Sequence, residues 1–160
     1  MNKAVFLDRD GVINEERGEY TWKKEDFILL PGVAEALKKL KTKGFLLIVI
    51  TNQGGIARGL YSLHDFYTVN KFMLTELETA GAKPDDWFFC PHYHETGQCL
   101  CRKPESLLLE RAAGKHAIDL TSSWFIGDRD RDIEAGKKAG VKTIKVESNS
   151  SLLSILDQIS

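Results

Sequence analysis

Five times along this chain a short, unbroken apolar run gives way to a segment of helical period. The runs lie at 3–8 (KAVFLD), 45–50 (FLLIVI), 86–90 (DWFFC), 122–126 (SSWFI) and 141–146 (VKTIKV). Runs without polar alternation suit strands covered on both faces, as in a parallel sheet. The helical segments are 31–44, opened by Pro31 and closed by Gly44, then 62–81, capped by Ser62 and stopped by Gly81, then 104–117, 130–140 and 150–159. This alternation predicts an α/β fold with a doubly wound parallel sheet of about five strands. At 160 residues the chain is expected to be one domain, 1–160, with a proper core and no separate cap.

Ligands of open α/β sheets bind beyond the carboxyl ends of the strands. The segments after the first four strands are DRDG (8–11), TNQGG (51–55), a Cys/His cluster followed by RKP (102–104), and GDRDRD (127–132). Asp8, Asp10, Asp128 and Asp132 should therefore converge on one rim. Close carboxylates repel, and a hard divalent cation relieves the repulsion. Oxygen ligands of this kind suit Mg²⁺, which also binds phosphate. Arg9, Arg102, Lys103, Arg129 and Arg131 fall in the same loops, so a phosphorylated substrate is expected.

All three cysteines fall in CPHYHETGQCLC (90–101). Cys90, His92, Cys99 and Cys101 make a closed N/S set of the kind that holds structural zinc, with His94 as the alternative imidazole. The zinc would tie down the loop that delivers Arg102 and Lys103. Loop cysteines without metal are the plainer alternative. The 22 Lys+Arg against 23 Asp+Glu give a net charge of −1, which argues against nucleic acid as partner. No apolar run reaches the ~18 residues of a membrane span, so a cytoplasmic protein without membrane association is expected.

DRDGV at 8–12, Thr51-Asn52, Lys103 and GDRDRD at 127–132 resemble, in order and spacing, the four motifs of the haloacid dehalogenase-like phosphohydrolases. The resemblance covers nearly the whole chain. It implies a covalent mechanism in which Asp8 is the nucleophile and Asp10 the general acid and base. Thr51 and Lys103 would hold the phosphoryl oxygens. Mg²⁺ would be held by Asp8, the Asp10 backbone carbonyl and Asp128, with Asp132 behind them. The second aspartate favours phosphate esters over the carbon–halogen chemistry of the family's dehalogenases.

CPH…CLCRKP together with TNQGGIARG (51–59) is similar to the D-glycero-D-manno-heptose 1,7-bisphosphate phosphatases, whose members typically read TNQSGIARG; Gly54 stands where they have Ser. Histidinol-phosphate phosphatases share the zinc loop and the RKP, and Arg129 after Asp128 is also seen on that side. The implied activity is removal of the 7-phosphate of the heptose bisphosphate by a monomer, in carbohydrate metabolism leading to lipopolysaccharide heptose. Histidinol phosphate is the alternative substrate. A polynucleotide end-phosphatase and a non-catalytic zinc-stapled binding module are the remaining ones. Asn52, Gln53, Gly54, Arg102 and Arg129 are the expected contacts to the sugar or second phosphate. Residues 14–30 are expected to form a flap, with Arg17, Gly18 and Tyr20 near the sugar, and Arg58 is a further candidate for the second phosphate.

Overall fold

A computed structural model describes all residues, 1–160. Five parallel strands, β1 (Lys3–Leu7), β2 (Phe45–Asn52), β3 (Asp86–Cys90), β4 (Trp124–Gly127) and β5 (Lys142–Lys145), form one sheet in the order β3-β2-β1-β4-β5. The four helices between them are α1 (Val33–Thr42), α2 (Leu63–Thr79), α3 (Leu107–His116) and α4 (Asp130–Ala139).

The side-chain alternation of β1 explains how the layers assemble. Val5 and Leu7 join a core with Leu37 and Leu40 of α1 and Val69, Met73 and Leu77 of α2. Ala4 and Phe6 point the other way, into a core with Leu108, Leu109 and Ala112 of α3 and Ala135 of α4. All four strand residues are fully buried. Each large apolar side chain so buried contributes about 1.5–3 kcal/mol. The sheet is thus covered on both sides, and β1 lies at its centre.

The outer strands depart from the expected double burial. β3 is mostly half-buried and β5 buries only Ile144. Both are edges. β3 packs Trp87 and Phe89 against Phe66 of α2, while Lys142 and Lys145 leave β5 a charged rim that discourages further strand pairing.

Local sequence sets the helix boundaries. Ser62 accepts from the Asp65 amide at 3.0 Å, and Asp65 accepts from the Ser62 amide at 2.8 Å, a complete capping box for α2. Gly140, at φ 83°, closes α4. The segment expected as a helix over 150–159 is instead a 3-10 turn, Leu152–Gln158. The serines explain the difference. Ser150 donates to the Glu147 carbonyl at 2.6 Å, and Ser154 to that of Ser151 at 2.9 Å, competing with α-helical bonding. The turn still buries Leu152 and Leu156, and Ile159 just after it, in the core that includes α1.

Residues 14–30 contain a single 3-10 turn, Lys24–Asp26, and are pinned by an Asn14–Leu29 bridge. No helix of the chain is long and apolar enough to cross a membrane.

Candidate active site and metal-binding cluster

The carboxyl ends of β1, β2 and β4 bring Asp8, Thr51 and Asp128 to one edge, where the segment after the cysteine loop inserts Lys103. The Lys103 side chain is fully buried. Its Nζ lies 2.7 Å from Asp8 Oδ1, 2.7 Å from Asp132 Oδ1 and 2.9 Å from the Ile50 carbonyl. Asn52 clamps the Lys103 backbone from both sides, donating to its carbonyl at 3.1 Å and accepting from its amide at 3.0 Å. Asn52 therefore positions Lys103 while also lining the cleft.

Asp8, Asp128 and Asp132 are all buried, and their oxygens fall within 4.8 Å of one another. With all three carboxylates ionised, the buried Lys103 ammonium would balance only one of them, an excess that suits a divalent cation. Burial pushes the Asp8 carboxyl up to about 8; Lys103 opposes the rise, and Asp132 and Asp128 add to it. Desolvation of the ammonium acts against Lys103, yet Asp8 and Asp132 outweigh it and hold its pKa above the ordinary value. Asp128 Oδ2 accepts from Ser148 Oγ at 2.5 Å, while its Oδ1 is buried without a partner. A buried carboxylate oxygen without a donor is costly, and a hard cation would satisfy it. This donor set fits Mg²⁺.

Close backbone approach requires glycine twice here. Gly11 has φ 86°, and a Cβ on it would run into Asp128 Oδ2 and Ser148 Oγ. A Cβ on Gly127 would collide with the Asp132 side chain. Asp132, the third residue of α4, accepts from the Arg129 amide at 3.0 Å, so the helix start and the site share one carboxylate.

Thr51, near the end of β2, is 2 % exposed. Its Oγ1 accepts from Gln53 Nε2 at 2.9 Å, and Gln53 Oε1 accepts from the Tyr61 hydroxyl at 2.6 Å. Burial pushes Tyr61 well above the usual phenol range, so it stays a donor. Asp10 is half-buried, and its Oδ1 accepts from Arg9 at 2.9 Å and from Asn14 at 3.0 Å.

A cleft of about 290 Å³ opens over these groups, lined by Asp8, Asp10, Asn52 and Asp128 together with Gly18, Tyr20, Arg58 and Arg129. Arg58 donates to the Tyr20 hydroxyl at 3.3 Å, and Arg129 Nε lies 3.6 Å from Asp128. Four residues expected at the sugar sit elsewhere. Gln53 is buried with both amide ends engaged, so it acts through Thr51. Gly54 faces the cysteine loop, where a Cβ would lie 3.1 Å from Arg102 Nη1 and from Tyr93. Arg102 donates to the His92 carbonyl at 3.1 Å and borders a separate cavity of about 750 Å³. Arg17 is drawn away by Asp26, at 3.3 Å.

Arg131, expected among the basic loop residues, also lines the cleft, whereas sequence reasoning missed Glu16 and Glu19 in the lining, and also Ser148, Asn14 and Tyr61. Ser148 follows β5, so the strand-end rule extended to the fifth strand would have pointed to it. Tyr61 had no sequence signal, because only folding brings it onto Gln53.

The second cluster gathers at the end of β3. Cys90 Sγ lies 3.1 Å from Cys101 Sγ, 3.7 Å from Cys99 Sγ and 3.4 Å from His92 Nδ1, and His92 Nδ1 lies 3.2 Å from Cys101 Sγ. All three cysteines are free. Four ligands around zinc at about 2.3 Å would put sulfurs roughly 3.8 Å apart; the Cys90–Cys99 pair meets that spacing and the Cys90–Cys101 pair is tighter. His92 supplies the imidazole, while His94 is turned out toward Glu95 at 3.7 Å. Burial pushes the Cys90 thiol up, and a bound cation would offset that rise.

Residues 100–158 match the model of the HAD-hydrolase-like family. The chain is 46% identical over 142 residues to the D-glycero-beta-D-manno-heptose-1,7-bisphosphate 7-phosphatase of Helicobacter pylori strain J99, covering 88% of this chain and 80% of that one. It is 41% identical over 145 residues to the D-glycero-alpha-D-manno-heptose-1,7-bisphosphate 7-phosphatase of Photorhabdus laumondii, covering 87% and 79%. Among solved structures, the D,D-heptose 1,7-bisphosphate phosphatase from B. bronchiseptica, crystallised with magnesium and phosphate, superposes with a TM-score of 0.86 at 31% identity, covering 98% of this chain and 86% of that one.

Proposed function

The chain belongs to the D-glycero-D-manno-heptose-1,7-bisphosphate 7-phosphatases of the HAD-like hydrolases, and on that premise we propose that it removes the 7-phosphate of the heptose bisphosphate through an aspartyl-phosphate on Asp8. The observation that carries the reading is the fully buried Lys103–Asp8 contact beside the unpartnered Asp128 oxygen. A structural pair alone would not leave two further carboxylates facing it. Asp8 forms the bond to phosphorus, and Asp10 protonates the sugar oxygen that leaves. Asp10 then takes a proton from the water that releases phosphate. Thr51 and Lys103 hold the phosphoryl oxygens. Mg²⁺, held by Asp8, the Asp10 carbonyl and Asp128 with Asp132 behind, would neutralise charge on the phosphate when bound.

Arg58 and Arg129, both lining the cleft, suit the second phosphate of the sugar. Asn52 and Tyr20 offer hydroxyl partners. The Cys90–His92–Cys99–Cys101 set would hold zinc as a staple under Arg102 and Lys103. Residues 14–30 act as the flap, in a cytoplasmic monomer that feeds surface heptose assembly.

Phosphate release from the heptose bisphosphate and from histidinol phosphate, each with Mg²⁺, tests the proposal. Expected is turnover of the first at least tenfold faster. Faster turnover of histidinol phosphate would overturn the substrate assignment, and none of either would overturn the reading.

A further inference from the structure

Arg9 is among the largest fully buried side chains, 1 % exposed, and stands between the two aspartates Asp8 and Asp10. Both of its contacts run through one nitrogen. Nη2 donates to Asp10 Oδ1 at 2.9 Å and to the Thr21 carbonyl at 2.8 Å, while the buried Nε and Nη1 have no partner. Burying a guanidinium costs several kcal/mol, and leucine or methionine would fill the space without that penalty. The two contacts therefore point to what the charge is for. One holds the carboxylate beside the nucleophile, and the other holds the backbone of the 14–30 segment whose residues line the cleft.

The contacts also distinguish the two oxygens of Asp10. Arg9 and the fully buried Asn14 both donate to Oδ1, whereas Oδ2 has no protein donor. An oxygen already accepting two N–H bonds has little capacity for a proton. We propose that Arg9 is a positioning residue that, with Asn14, fixes the Asp10 carboxyl so that Oδ2 alone carries the transferred proton.

The proposal rests on the phosphatase reading of Asp8 and Asp10. In the first half-reaction, the bond from Asp8 to phosphorus forms as the phosphorus–sugar oxygen bond breaks. The Oδ2 proton passes to that oxygen, giving a neutral alcohol and an Asp10 carboxylate. In the second, the water oxygen bonds to phosphorus as Oδ2 takes its proton and the bond from Asp8 to phosphorus breaks, so phosphate leaves, the Asp8 carboxylate is freed and Asp10 is again the acid.

The test compares kcat/KM for the heptose bisphosphate with kcat/KM for p-nitrophenyl phosphate, whose phenolate departs with little help from an acid. Both substrates are measured on one preparation, so the ratio is independent of the folded fraction. Asp10→Asn should collapse the ratio, and Arg9→Gln should lower it by about tenfold or more, part of the ~10²–10⁴ that a placed proton donor contributes. Arg9→Lys, which can keep a charged contact to Oδ1, should restore most of it. Asn14→Ser should lower the ratio in the same direction, and it carries the test should the glutamine variant fail to fold. An unchanged ratio in Arg9→Gln and Asn14→Ser, beside a collapsed ratio in Asp10→Asn, would overturn the proposal. An unchanged ratio in Asp10→Asn would overturn the reading of Asp10 on which it rests.

Discussion

Replacing Asp8 with asparagine should inactivate the protein and yet, free of Mg²⁺ at pH 8, make it harder to melt. Asp8 is buried beside Asp128 and Asp132, with Lys103 as the one ammonium among them. Burial raises its pKa from 3.8 to about 8. Its folded pKa thus lies above its unfolded value, so the folded chain holds a proton that the unfolded chain has released. Stability therefore falls as pH rises from about 4 through about 8, and the penalty is complete above that window. Taken alone, a shift of that size corresponds to a ceiling of about 6 kcal/mol. Asparagine removes the charge but weakens the contact to Lys103, so the expected net gain is ~1–2 kcal/mol, or about 2–8 °C in melting temperature for a chain of this size. The melts are run at pH 5 and pH 8 after Mg²⁺ is removed by gel filtration, because a chelator would also attack the cysteine cluster. The asparagine variant should melt higher at pH 8, with most of the gain gone at pH 5. Added Mg²⁺ should then stabilise the wild type more than the variant. A variant that melts at or below the wild type at pH 8, or gains equally at both pH values, would refute the charge argument.

Lys103→Met should abolish turnover and cost about 3–5 kcal/mol in urea unfolding, because it strips the counter-charge from buried Asp8 and Asp132; adding Asp8→Asn should recover part of that loss, and strictly additive effects would contradict the pairing. Cys101→Ser should reduce bound zinc, measured by metal analysis, and lower the melting temperature by several degrees, since metal binding is folding free energy; an equal melt after verified zinc loss would contradict a structural role. Gly127→Ala should cost about 1–3 kcal/mol and depress turnover, as the new methyl displaces Asp132; wild-type kinetics would show that Asp132 tolerates the shift. Gln53→Leu should lower kcat with little change in KM by freeing Thr51 Oγ1, and a rise in KM alone would place Gln53 in the cleft instead.

The legible features were those written in local order. Five apolar runs and their helical partners depend on periodicity, so the strands and all four α-helices lie within a few residues of the expected bounds. The clustered carboxylates were equally visible, since Asp8 and Asp128 follow directly from strands that parallel packing places side by side. Two of the four residues that sit away from the cleft share one cause. Gln53 and Gly54 follow Thr51 and Asn52 in sequence, and adjacency suggested a common surface. Beyond the strand end the chain turns, with the Gln53 amide bonded to the Cys90 carbonyl at 2.8 Å. That turn sends Gln53 inward to Tyr61 and Gly54 against the cysteine loop. The same limit applies to Arg9, which reads as one more basic residue in a polar loop. Its role depends on being buried and on the 14–30 segment folding back to present the Thr21 carbonyl. Local pattern can tell which strand ends carry chemistry, but the supporting layer behind them is set by long-range closure, which leaves no periodic trace.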